Sequence, residues 1–230
     1  MKKLLSALTA IALLAGCASQ PKTSEAPTTE ATTTEAPVAE VTKAELPAAR
    51  DTSKMYTPGK DQPETACTED TYAAGCSGVS VDNLVDYLGR DDVLYIDLRD
   101  YVDYSKSHLR NFECIPYFAL IFDKEAGSEG KPQLYSGDVT APVATYEESD
   151  DLLEEYFPKD KTIFFMCQSG GRVSQLMTLL AAKGYDMSKI YNVGGMGQFT
   201  DKAFEPYTVD ALEVEVEATY NFNGLTPAAK

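Results

Sequence analysis

From about residue 78 to residue 200, apolar and polar positions fall into two alternating rhythms. Val93-Leu94-Tyr95-Ile96, Thr162 to Met166 and Ile190 to Val193 are short apolar runs with few polar interruptions, which predicts strands buried on both faces. Between them the spacing turns helical. Ser80 stands where it would cap a helix carrying Val81, Leu84, Val85 and Leu88 and ending at Gly89. A short helix after Asp100 and a strand near Phe112 to Ile115 follow. Glu147 to Phe157 reads as a helix with Pro158 just beyond it, and Val173, Leu176, Met177 and Leu180 make another, stopped by Gly184. Strands alternating with helices predict an α/β fold, a parallel sheet with helices on both faces. Sites in such folds gather at the carboxyl ends of the strands, where the run Thr162 to Met166 delivers Cys167.

Three stretches break the rhythm. Residues 117–146 carry Gly, Pro and Ser without periodicity and read as a long excursion, either a lid or an insertion. Near the carboxyl end, Leu212, Val214, Val216, Ala218, Tyr220 and Phe222 alternate with polar residues, which predicts a half-buried β-strand extension within residues 205–230. Its glutamates suit an exposed edge that resists aggregation. At the other end, residues 1–16 place two lysines before an apolar run too short to span a bilayer, the pattern of a signal peptide. Leu14-Ala15-Gly16-Cys17 resembles the lipobox of bacterial lipoproteins, which implies cleavage before Cys17 and lipidation of its sulfur. Acyl chains would then hold the protein to a membrane from the extracytoplasmic side. Residues 17–64, rich in Thr, Glu, Ala and Pro, read as a disordered tether, and residues 65–204 as the folded domain.

Charge and cysteines narrow the chemistry. The formal net charge of −16 repels phosphate backbones, so nucleic acid is excluded as a partner, and an anionic substrate needs locally positive potential. Export permits disulfides, and Cys67 and Cys76 flank a polar segment that a bridge would close. Free thiols and a redox-active pair are the alternatives. No metal is expected, because no second cysteine or histidine pair stands at ligand spacing.

The segment Cys167-Gln168-Ser169-Gly170-Gly171-Arg172 concentrates the reactive groups. A cysteine leaving a buried strand, followed by two glycines and a helix, lets backbone N–H groups turn toward the sulfur. The helix N-terminus adds positive partial charge, and both effects favour a nucleophilic thiolate. Arg172 adds a cation, either as a substrate clamp or as a brace tied to an acidic strand end. Cysteine phosphatases place their arginine six residues after the cysteine. Here it stands five after, and the tighter loop suits a terminal sulfur better than a phosphoryl group.

Together with VLYIDLRDYVDYSKSHLRNF upstream and YNVGGMGQF downstream, this loop resembles the rhodanese family of sulfurtransferases over residues 78–204. Asp97 and Arg99 fall at that family's acidic and basic strand-end pair, His108 in its histidine-led turn, and Gly194-Gly195-Met196 in its terminal glycine motif. Arg110 and Asn111 stand where the turn usually continues with Pro and Gly, and Val173 replaces a common serine. The resemblance implies that Cys167 takes sulfur from a small donor such as thiosulfate, holds it as a persulfide and passes it to a thiol or cyanide acceptor, without a cofactor. Asp97 and Arg99 are then expected as a bracing ion pair, His108 as a hydrogen-bonded turn residue, and Cys114 as a buried free thiol or a resolving partner of Cys167. The alternative is a non-catalytic sulfur carrier, redox sensor or binding module on the same fold.

Overall fold

The computed structural model describes residues 44–210 and 216–229. The signal segment, Cys17 and the first part of the expected tether lie outside the described residues.

In chain order the strands are β1 (Met55–Tyr56), β2 (Thr65–Ala66) and β3 (Val93–Asp97). Helix α1 (Tyr101–Lys106) follows, then β4 (Ser107–Leu109), β5 (Glu113–Cys114), β6 (Tyr135–Asp138) and β7 (Ala141–Ala144). Next come α2 (Ser149–Tyr156), β8 (Thr162–Cys167), α3 (Gly171–Ala182), β9 (Ile190–Gly195) and β10 (Thr208–Asp210). The central sheet has the order β5-β3-β8-β9, and each of its pairs is parallel.

Because strand side chains alternate between faces, the sheet divides the core in two. Ile96, Ile163, Phe165 and Ile190 pack on one face beneath α2 and α3, with Leu153, Phe157, Leu176 and Leu180. Val93, Tyr95, Phe164, Met166, Tyr191 and Val193 fill the other face, under Leu84, Leu109, Phe112 and Phe199. Full burial of β8 on both faces accounts for its unbroken apolar run. Helical cover on the second face is short. Where the sequence predicts a helix over 80–88, only a 3₁₀ turn, Leu84–Tyr87, forms. Asn83 explains the difference: its Oδ1 accepts from Ser80 N–H at 2.8 Å and its Nδ2 donates to Gly78 O at 3.0 Å. Such local side-chain bonds compete with the helical ladder.

Two expectations need correction, for residues 44–64 and for the carboxyl-terminal strand, and between them the alternative left open at 117–146 is decided. Residues 44–64, assigned to the tether by composition, belong to the folded body: β1 and β2 pair antiparallel, and Ala49 and Arg50 are buried. A small apolar residue and a cation satisfied by backbone carbonyls leave little hydropathy signal. The excursion 117–146 is a packed insertion. It opens with a π-helical turn, Tyr117–Ile121, forms the β6–β7 hairpin, and gives Tyr117, Ile121, Leu134 and Tyr135 to the core. The extension does supply a strand, but earlier than the alternation suggests. β10 pairs antiparallel with β4, residues 212–215 of the predicted strand lie outside the described residues, and 216–222 form no ladder. Tyr220 and Phe222 instead stack individually on Tyr101 and Tyr146.

Among the described residues no helix is long and apolar enough to cross a membrane.

Candidate active site

Strand β8 ends at Cys167, and α3 begins four residues later. The chain can reverse so tightly because Gly170 adopts φ +86°, a left-handed conformation that glycine takes without steric penalty. That conformation turns the Gly170 N–H onto Cys167 Sγ at 3.1 Å. Among the described residues it is the one loop amide hydrogen-bonded to the sulfur. The sulfur also faces the amino end of the twelve-residue α3, whose unpaired N–H groups favour negative charge. Cys167 is a free thiol and only 1% exposed, so almost none of it is open to a partner atom.

The glycine motif expected downstream forms the underside of this loop. In the β8–β9 ladder Cys167 is opposite Gly195, and Gly197 N–H donates to Gln168 O at 3.0 Å. A side chain on Gly195 would overlap the carbonyl carbon of Gln168 and the amide nitrogen of Ser169. The two loop glycines differ. A Cβ on Gly170 would stand 2.9 Å from Ala74 Cβ, whereas nothing lies within 4 Å of one on Gly171.

Arg172 turns back to the scaffold. Its Nη1 donates to Leu98 O at 3.3 Å and its guanidinium lies 5.7 Å above the Phe118 ring, which the insertion supplies. This geometry is that of a brace. Asp97 and Arg99 form a buried pair at the end of β3: Arg99 Nη2 donates to Asp97 Oδ2 at 2.7 Å and Nε reaches both carboxylate oxygens. The guanidinium further donates to Asp103 O and Ser107 O. Burial raises the Asp97 carboxyl above its ordinary value, with Arg99 opposing the shift without cancelling it.

His108 sits on β4 rather than in a turn, pairing with Val209. Its Nδ1 is 2.9 Å from Tyr104 O and its ring stacks on Tyr104, four residues earlier in the chain. Cys114 donates its S–H to Arg99 O at 3.2 Å, and burial pushes its thiol up to about 12. In the sheet Cys114 is level with Asp97 and Asp97 with Met166, which puts Cys114 two strand spacings, about 10 Å, from the end of β8. A disulfide needs Cα atoms within about 7 Å, so Cys114 and Cys167 cannot join without backbone movement. Cys67 and Cys76 are joined, with Cα atoms 5.6 Å apart.

Sequence reasoning passed over Asn192, Tyr72 and Arg50. Asn192 is buried in the middle of β9, and its Nδ2 donates to Tyr72 O at 2.8 Å and Gly170 O at 3.0 Å. The available signal was an amide inside the apolar run Ile190 to Val193, since a buried polar side chain in a strand must find partners. A cleft of about 970 Å³ lies elsewhere, bordered by Lys131, Tyr146 and Pro227, and includes no residue of the Cys167 loop.

A sequence model described as the rhodanese-like domain matches residues 80–202. No curated protein matches the chain. Among solved structures, similarity is found to a rhodanese from E. coli solved with anions, at 18% identity and a TM-score of 0.30, over 52% of this chain and 99% of that one. A rhodanese-like domain from Anabaena sp., solved by NMR, aligns at 15% identity and a TM-score of 0.34, over 65% of this chain and 87% of that one.

Proposed function

The chain belongs to the rhodanese-like domain family, and from that premise we propose that it is a sulfurtransferase moving a sulfane sulfur through a persulfide on Cys167. The observation that carries this reading is the Gly170 N–H held 3.1 Å from Cys167 Sγ at the mouth of a parallel sheet, with α3 starting behind it. In the first half-reaction the Cys167 thiolate attacks the outer sulfur of thiosulfate. A new sulfur–sulfur bond forms, the bond to sulfite breaks, and sulfite leaves with the electron pair. In the second, cyanide or a thiolate attacks the outer sulfur, forms thiocyanate or a new persulfide, and returns Cys167 as thiolate. Neither step needs a general base once the thiolate is formed, in keeping with the engagement of His108 by Tyr104. Burial of Cys167 favours donors that present a single terminal sulfur.

The test is mass spectrometry of the full chain after thiosulfate treatment. The wild type is expected to gain one sulfur, localised to Cys167 and removed by cyanide, and Cys167→Ser to gain none. Failure of the wild type to take sulfur from thiosulfate or any other sulfane donor would sink the proposal. A non-catalytic carrier or sensor is the second reading, favoured by the anchoring of Arg172 to Leu98 O instead of the loop interior. It predicts the same adduct without turnover.

We further infer attachment to the outer side of a bacterial membrane through Cys17. Its support is the segment Leu14-Ala15-Gly16-Cys17 behind a short apolar run, together with a disulfide-bearing body. In bacterial expression the full chain is expected to partition into detergent and Cys17→Ser into the aqueous phase; equal partitioning would overturn the anchor.

A further inference from the structure

The segment closed by the Cys67–Cys76 bridge lies directly against the outer wall of the nucleophile loop. Tyr72 O, at its centre, accepts from two side chains of the active-site frame, Ser174 Oγ at 2.9 Å on α3 and Asn192 Nδ2 at 2.8 Å on β9. Ala74 Cβ occupies the space that a side chain on Gly170 would need. The segment is itself fixed from the far side. The Arg50 guanidinium stacks 5.0 Å above the Tyr72 ring, its Nε donates to Glu69 O, and its two terminal nitrogens donate to Ile190 O and Met187 O.

Asn192 is where these ties converge. Besides Tyr72 O, its Nδ2 donates to Gly170 O at 3.0 Å, while its Oδ1 accepts from Gly194 N–H at 3.1 Å. Gly170 is the residue whose N–H contacts Cys167 Sγ. Its carbonyl and its N–H are separated by one pair of backbone dihedrals, so fixing the carbonyl restricts the direction in which the N–H points. Glycine has the widest backbone freedom of any residue, and at φ +86° Gly170 needs such outside restraint to hold one geometry. A buried amide with all its polar atoms engaged supplies it.

We propose that the disulfide-closed segment 67–76 is a positioning element for the nucleophile, acting through Tyr72 O and the Asn192 carboxamide to hold the Gly170 N–H on Cys167 Sγ. Asn192 touches no reacting atom and is a positioning residue. The inference deepens the sulfurtransferase reading and rests on Cys167 as its nucleophile, but its test does not require sulfur transfer. The rate at which iodoacetamide alkylates Cys167 in the full chain is measured against pH, with the Cys167 peptide followed by mass spectrometry.

In Asn192→Ala and in Cys67→Ser/Cys76→Ser, the rise of the rate with pH is expected to move to higher pH, so that on the rising limb the rate falls about tenfold. When the two changes are combined, the loss is expected to stay near tenfold, well short of the roughly hundredfold expected of independent sites, because both cut the same chain of contacts. A profile for the folded disulfide variant that superimposes on the wild type, or multiplicative losses, would overturn the proposal. Should the disulfide variant be unfolded at the assay temperature, Ser174→Ala replaces it. That change removes one of the two bonds on Tyr72 O, together with the contacts of Ser174 Oγ with Gly170 O at 3.1 Å and with Asn192 Nδ2 at 3.3 Å, with the bridge intact, and an unmoved profile there overturns the proposal equally. A shifted profile alongside absent sulfur uptake would keep the positioning role and discard the sulfurtransferase reading.

Discussion

Asp97→Ala is expected to lower stability by about 3–5 kcal/mol, because it leaves the Arg99 guanidinium buried without a counter-ion. Asp97 is fully buried and Arg99 only 3% exposed, and the carboxylate takes both Nε and Nη2 of the fork as well as Arg99 N–H. The two remaining acceptors, Asp103 O and Ser107 O, are neutral carbonyls. For a body of this size the loss corresponds to a fall of about 10 °C in the unfolding temperature. Thermal unfolding of the variant checks it, and an unchanged midpoint would refute the buried pair.

The pH dependence separates two sources of that loss. Burial holds the Asp97 carboxyl above its ordinary 3.8 in the native state. The folded protein therefore binds the proton more tightly than the unfolded chain, and this contribution to stability is fully present below pH 3.8. It is lost as pH rises through the folded-state value. The stability of the wild type relative to Asp97→Asn, from urea unfolding at a series of pH values, should accordingly fall as pH rises above 3.8. Burial opposes the attraction of the pair, and removing the carboxylate alone leaves the arginine orphaned. Replacing both residues with apolar side chains of similar volume is expected to cost less than removing the carboxylate alone.

The residues that carry this prediction were legible in the sequence, and the difference between them and the residues that were not is physical. Strands β3, β8 and β9 announced themselves because burial on both faces forces apolar runs. The Cys167 loop announced itself because a strand, two glycines and a helix must meet there. Arg50 and Asn192 did not, since their partners are carbonyls distant in sequence: Arg50 reaches Ile190 across 140 residues, and Asn192 reaches Tyr72 across 120. Backbone acceptors carry no sequence signature, so Arg50 is indistinguishable on paper from a solvated cation, and for Asn192 the surrounding apolar run signals burial without naming the partners. The segment 44–64 was misread for the same reason, its order depending on Arg50 and the β1–β2 pair and not on hydropathy. The two loop glycines were equally opaque. Gly170 and Gly171 read alike, yet only Gly170 is left-handed.

Gly195→Ala is expected to abolish sulfur uptake by Cys167 by disturbing the loop that carries it. The Gly195 backbone is extended, at φ −165°, so the conformation would accept alanine and the obstacle is purely steric. The added methyl would overlap the peptide joining Gln168 to Ser169, which is backbone and cannot rotate away. Relief requires the loop to lift from β9. That movement breaks the Gly197 N–H bond to Gln168 O and displaces the Gly170 N–H from Cys167 Sγ. Overpacking of this kind costs about 1–3 kcal/mol, which the fold should survive with a lowered unfolding midpoint. The site should not survive it, because positioning of a reactive group tolerates displacements of only about 0.5 Å. Gly171→Ala is the matched control. It adds a methyl to the first position of α3, where nothing lies within 4 Å, and alanine favours the helix over glycine by about 1 kcal/mol. The expected pair of results, from thiosulfate-dependent mass gain and thermal unfolding, is a folded but inert Gly195→Ala beside an active and slightly stabilised Gly171→Ala. Sulfur uptake by Gly195→Ala at the wild-type rate would show that the floor of the loop on β9 does not hold the nucleophile in place.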